Sequence, residues 1–216
     1  TSRNNLMLGC VMYIINGVYN YEDPIFLTIY DGDLIVGQAV NTDEKHNLIL
    51  TDMPYNTAEL LAKEFLIHRK VACGVRGPKK IVLEVTKALG RLVTKNYELH
   101  DFQGIYELSH LLMPDLQGCS LLHQDAVDKK ILQKWTEAFI RECDLNPNVN
   151  TKEASLTVLD RHEKIKGFRF LKNSKNEIVS MAAKHRDFED SATVSLVYTP
   201  PKHRRNGYGK IVTALL

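Results

Sequence analysis

The chain has 216 residues, 44% hydrophobic, 25% charged and 8% aromatic, proportions that exclude disordered, collagen-like and low-complexity classes. That length admits one large domain or two small ones, each able to bury a core. Net charge is only +2, yet residues 160–216 hold twelve Lys/Arg against six Asp/Glu, a local +6 that leaves −4 on the remainder. This asymmetry suits an anionic ligand at the C-terminal end, or simply a solvated basic face, and argues against a nucleic-acid-coating protein, whose charge is usually higher overall.

The longest apolar run, Leu6–Ile15, is too short for a bilayer, which needs about 20 residues. No small-residue cleavage site follows it, because Asn16-Gly17-Val18-Tyr19 reads as a turn. No membrane association is therefore expected. Thr1 is not a start methionine, so the chain is expected to lack its native beginning. From Pro24 a β-hairpin is expected: Ile25–Tyr30, the turn signal Asp31-Gly32, then Leu34–Val40, with a third strand at Asn47–Thr51. After Pro54, Leu60, Leu61, Phe65 and Leu66 recur at helical spacing, and Val71–Val75 reads as a short strand ending at Gly77-Pro78. Pro78 suits the first turn of a helix through Ile81, Val85, Ala88 and Leu92. Tyr97–Leu112 looks strand-like and closes at Met113-Pro114, where a domain boundary is expected, giving domains 1–113 and 118–216.

The second half opens with a helix from Val127 to about Glu142. Asp125 is its expected N-cap, and Ile131, Leu132, Trp135, Ala138 and Phe139 form one stripe. Asn146-Pro147-Asn148-Val149-Asn150 breaks it, a weaker helix follows over Thr151–His162, and strands return at Phe168–Leu171, Ile178–His185 and Thr193–Tyr198. This order copies the first half: Ile35-Val36-Gly37-Gln38-Ala39 corresponds to Ile178-Val179-Ser180-Met181-Ala182, each after a polar turn. Two copies of one α/β unit are the expectation. The cysteines, Cys10, Cys73, Cys119 and Cys143, are far apart, with neither zinc-site spacing nor a dense disulfide framework. Reduced thiols in a cytoplasmic protein without a metal are the simplest reading.

The most informative stretch is Val197-Tyr198-Thr199-Pro200-Pro201-Lys202-His203-Arg204-Arg205-Asn206-Gly207-Tyr208-Gly209-Lys210, between a strand and an apolar helix. Glycines let backbone approach a phosphate, and the N–H groups of a helix N-terminus carry positive partial charge. With Lys202, Arg204, Arg205 and Lys210 around the same point, a pyrophosphate fits. The stretch is neither a Walker A loop nor G-x-G-x-x-G, which removes support for nucleotide hydrolysis and Rossmann dinucleotide binding.

The remaining pattern, Arg-x-x-Gly-x-Gly at Arg204, Gly207 and Gly209 after Val-Tyr-Thr-Pro-Pro, resembles the acetyl-CoA-binding motif of the GNAT acetyltransferase superfamily. The resemblance extends from Ile25 onward to a two-repeat group, through Tyr-Glu-Leu at 106–108, Trp135 and Phe139 on the long helix, and Val179–Ala183. It implies an α+β fold of two GNAT-like repeats, each a mixed, mainly antiparallel sheet flanked by helices, the first repeat degenerate. The first repeat's loop, Met53–Thr57, has no Arg-x-x-Gly-x-Gly and no basic cluster.

The implied activity is N-acetylation in a ternary complex. A small-molecule or peptide amine attacks acetyl-CoA directly, pantetheine pairs with Leu196, Val197 and Tyr198, and pyrophosphate sits on Arg204, Arg205, Asn206, Gly207, Tyr208 and Gly209. A strand N–H near Leu196 or Val197 would stabilise the oxyanion. Relatives carry a carboxylate on this strand near Thr193. Here the nearest acids are Glu189 and Asp190 at its start, which act through a water or else form a solvated turn with Asp187 and Phe188; His185 has the more suitable unperturbed pKa. The family continues past the equivalent of Leu216 with further strands and a helix, so a longer protein is expected. The alternative function is a non-catalytic acyl-CoA-binding or interaction protein. No nucleic-acid partner is expected, and homo-oligomerisation stays open.

Overall fold

The computed structural model describes residues 4–143 and 150–216. The expected helix break at 146–149 lies outside the described residues. The chain divides into two compact units, Thr1–Glu107 and Leu108–Leu216, and each is α+β with one four-stranded sheet flanked by helices.

In the first unit, α1 (Asn5–Ile15) precedes β1 (Ile25–Asp31), β2 (Leu34–Asn41) and β3 (Leu48–Leu50), followed by α2 (Ala58–His68), β4 (Val75–Arg76) and α3 (Lys79–Val93). The sheet order is β1-β2-β3-β4, antiparallel except for the parallel β3–β4 pair. Gly32, at φ 59°, makes the tight turn between β1 and β2, a conformation that spares glycine the Cβ clash. The apolar positions read from the helical spacing, Leu61, Phe65, Ile81, Val85 and Ala88, form the core with Ile25, Ile29, Leu48 and Leu50. Arg69, only 6% exposed, ends α2 and reaches Asp23 Oδ2 at 2.7 Å and Asn41 Oδ1 at 3.2 Å, so its buried charge is paired.

In the second unit, β5 (Ser120–His123) leads to α4 (Lys129–Cys143), α5 (Thr151–Ile165), β6 (Phe168–Lys172), β7 (Ile178–His185), β8 (Thr193–Tyr198) and α6 (Tyr208–Leu215). The order is β5-β6-β7-β8 with every pair antiparallel, so this sheet is not mixed among the described residues. Strand alternation distributes side chains to two cores. Phe168, Phe170, Met181 and Ala183 pack with Trp135 and Phe139 of α4, while Leu171 and Ala182 pack with Ile211 and Val212 of α6.

The two hairpins share a defect at matched residues. In β1–β2 the register shifts so that Ile29 faces Gly37 and Tyr30 faces Ile35, leaving Val36 extra. In β6–β7, Leu171 faces Ser180 and Lys172 faces Ile178, leaving Val179 extra. Val36 and Val179 are the residues that the internal sequence match aligns.

Several expectations need correction. Tyr97–Leu112 forms no strand; residues 95–119 contain no helix or strand. Leu99, Phe102, Ile105, Leu108 and Leu111 recur every third residue, which matches neither the period of two of a strand nor the 3.6 of a helix, and all five are exposed. The units divide after Glu107, upstream of the expected 113–118 boundary. Asp125 does not cap α4: Asp128 does, its Oδ1 accepting from Lys130 N at 2.9 Å, while Asp125 pairs with Lys166. The strand expected at Val71–Val75 is reduced to Val75–Arg76, and that at Asn47–Thr51 to Leu48–Leu50. Among the described residues no helix is long and apolar enough to cross a membrane.

Candidate functional site

The site is built on the edge strand β8. Its register with β7 places Tyr198 opposite Met181 and Ser195 opposite Ala183, so Leu196 and Val197 share the single partner Ala182. Leu196 sits at φ 51°. A bulge takes a backbone N–H out of the ladder, and a non-glycine residue in the left-handed region costs about 1–2 kcal/mol. The Leu196 side chain recovers part of that by packing against the Phe168–Phe170 core. Strain of this kind, held by surrounding packing, concentrates where a backbone group is needed for a ligand.

Past β8 the chain turns at Thr199-Pro200, runs through a single 3-10 turn over Pro201–His203, and enters α6 at Gly207. Arg205 (φ 66°) and Gly207 (φ 77°) are both left-handed, and Asn206 Nδ2 donates to the carbonyls of His203 and Arg204 at 3.1 Å each, which fixes the loop. The helix N-terminus is open. A Cβ placed on Gly207 would meet nothing nearer than Gln117 Nε2 at 3.9 Å, and one on Gly209 nothing nearer than Thr199 Oγ1 at 3.7 Å. No acidic residue lies in the first turn of α6, while Lys202, Arg205 and Lys210 are exposed around it. Open backbone N–H groups, positive dipole and three exposed cations together suit an anion with several oxygens.

Beside the bulge lies a cleft of about 340 Å³ between the C-terminal end of α4 and β8, lined by Phe139, Glu142, Cys143, Val197, Tyr198, Thr199 and Arg204. Arg204 turns into it: its Nη2 donates to Glu142 Oε2, its Nε donates to the Thr199 carbonyl at 2.8 Å, and its guanidinium lies 5.8 Å from the Tyr198 ring centroid. The Tyr198 hydroxyl donates to Glu142 Oε1 at 3.3 Å. Burial, reinforced by the Glu142 carboxylate, pushes the Tyr198 phenol above its ordinary pKa. Burial first, and Glu142 second, also raise the Cys143 thiol, which keeps it protonated and a poor nucleophile.

The residues expected to hold a cofactor thus fall in two adjoining places. Leu196, Val197 and Tyr198 form the bulged strand end, and Arg205, Asn206, Gly207 and Gly209 form the loop and helix start. Tyr208 packs with the α6 side of the sheet instead, its ring 6.5 Å from His203. Arg204 points to Glu142 rather than to the helix N-terminus. The three residues weighed as a general base do not line the cleft. Glu189 and Asp190 are exposed in the bend before β8, at the opposite end of the strand, with Asp190 Oδ1 accepting from Ser191 Oγ at 3.0 Å. His185 ends β7 opposite Thr193, its ring 5.5 Å from that of His162.

Glu142 is the cleft residue that sequence reasoning missed. It does carry a signal: Leu132, Trp135, Phe139 and Glu142 are spaced 3, 4 and 3, so the acid continues the line of the apolar stripe at its exposed end. Among the described residues no group of three His, Cys, Asp or Glu could hold a metal ion. No protein-family model matches the chain, and no curated protein matches it at a significant level.

Proposed function

We propose that the second unit is a GNAT-like site for acetyl-CoA and that the chain transfers the acetyl group to a primary amine in a ternary complex. The observation that carries this reading is the pairing of a bulge at Leu196–Val197 with a glycine-opened helix N-terminus that starts ten residues after Val197, at Gly207–Gly209. One supplies backbone N–H groups outside the ladder, and the other supplies an anion cradle. Pantetheine runs along the free edge of β8, and the pyrophosphate rests on the backbone of Arg205–Gly209. The thioester supplies an activated carbonyl, and the chain supplies an N–H at the bulge for the oxyanion, a contribution worth about 10²–10³ in rate for a single donor in known acyl-transfer sites. Direct attack needs no protein nucleophile, in keeping with the protonated Cys143 thiol. The loop after β3, Met53–Thr57, has no glycine and no basic residue, which supports one cofactor site per chain.

A second reading, an acyl-CoA-binding protein without transfer, is favoured by the sequence of β8 itself, TVSLVY, which carries no carboxylate. Free-thiol release from acetyl-CoA with a panel of primary amines separates the two. Transfer gives amine-dependent release; a binder gives the hydrolysis background whatever amine is added.

A further inference from the structure

We infer that Glu142 is the residue that receives the acceptor amine, and that the Arg204 guanidinium holds that place until the donor's pyrophosphate draws it away. This rests on the acyl-CoA reading above and adds to it a catalytic residue, a substrate class and a binding order.

The cleft already contains a cation. Arg204 leaves the loop where the anion is expected and crosses to α4, where it pairs with Glu142 and stacks at 5.8 Å on the Tyr198 ring. A substrate ammonium needs the same surroundings: a carboxylate to pair with and aromatic surface to lie against. Phe139, Val197 and Tyr198 wall the carboxylate with apolar surface, so the fitting acceptor is a primary amine on an apolar or aromatic stem. At about 340 Å³ the cleft is at the small end of ligand sites, which favours a small amine.

The Arg204–Glu142 pair is built to exchange. Both side chains are about two-fifths exposed (43% and 40%), and ion pairs of that exposure contribute little to stability. A pyrophosphate at the α6 N-terminus offers the guanidinium more negative charge and a forked contact. The donor therefore binds first, and its binding uncovers Glu142 for the amine. Proton and bond balance then close on residues present. Glu142 takes one proton from the ammonium, and the nitrogen lone pair forms the N–C bond. The C–S bond breaks, the second amine proton leaves to water, and the thiolate recovers the Glu142 proton through the Tyr198 hydroxyl bonded to Oε1.

The test is calorimetry with CoA on the 216-residue chain and on Glu142→Gln, Arg204→Ala and the double variant, each checked for an unchanged circular-dichroism spectrum. Glu142→Gln is expected to tighten CoA several-fold by releasing Arg204, Arg204→Ala to weaken it, and the double variant to match Arg204→Ala alone. Glu142→Gln with unaltered CoA affinity, or an equal tightening in the Arg204→Ala background, overturns the exchange. Absence of CoA binding in all four proteins overturns the acyl-CoA reading itself. In a second arm, 2-phenylethylamine is titrated with CoA present. Binding that Glu142→Gln abolishes and Glu142→Asp partly restores supports the amine site, while equal binding to the parent and to Glu142→Gln overturns it.

Discussion

The buried Ser180 hydroxyl on β7 donates to the Tyr198 carbonyl at 3.0 Å and lies 2.9 Å from Thr199 Oγ1, tying the end of the bulged strand to its neighbour. Ladder pairing is interrupted just before this point, so a side chain does what the backbone no longer can. Ser180→Ala leaves a buried carbonyl short of its donor and is expected to lower unfolding stability by about 1–3 kcal/mol in urea titration. It should also loosen acetyl-CoA, because the Leu196–Tyr198 backbone is no longer pinned.

Gly209 and Gly207 separate fold from ligand. Gly209 is helical with room for a methyl group, so Gly209→Ala is expected to stabilise the unit by about 0.5–1 kcal/mol through helix propensity. The same methyl occupies the side facing Thr199 and Val197, where phosphate must approach, and should weaken acetyl-CoA at least tenfold. At Gly207, φ 77° strains any branched residue whatever the space, so Gly207→Val lowers stability as well as binding. Thermal melts beside calorimetry distinguish the two patterns; a Gly209→Ala variant that binds as the parent does would place the anion elsewhere.

Tyr198 gives a pH signature. Its phenol is held above the ordinary value by burial and by Glu142, so between the unfolded and folded pKa values the folded chain keeps a proton that the unfolded chain has lost. The stabilisation is full below about pH 10, the unfolded value, and is lost as pH rises through the folded one. Absorbance titration of tyrosinate should show a late-titrating group that Tyr198→Phe removes. Glu142→Gln should bring that titration to lower pH by removing the neighbouring charge.

The hairpins, the helices with a clean apolar stripe and the Gly207 helix start were legible because each is specified within a few residues. The bulge at Leu196 was not: TVSLVY reads as a β-prone strand whose alternation lapses at Leu196-Val197, and such a lapse does not by itself mark a leucine for a left-handed backbone, which here packs against the Phe168–Phe170 core. Tyr97–Leu112 misled in the opposite direction, since β-prone residues there recur with a period that no sheet accepts. The role of Arg204 depends on Glu142, sixty-two residues away, and a motif cannot report a partner at that distance.

Amide hydrogen exchange with and without acetyl-CoA tests the central claim most directly, because it reports both that the ligand binds and where. The account predicts slowed exchange in peptides covering Leu196–Tyr198 and Arg205–Gly209, with no change in the Met53–Thr57 loop of the first unit. Protection confined to the first unit, or none at ligand concentrations that saturate other acyl-CoA sites, would contradict it.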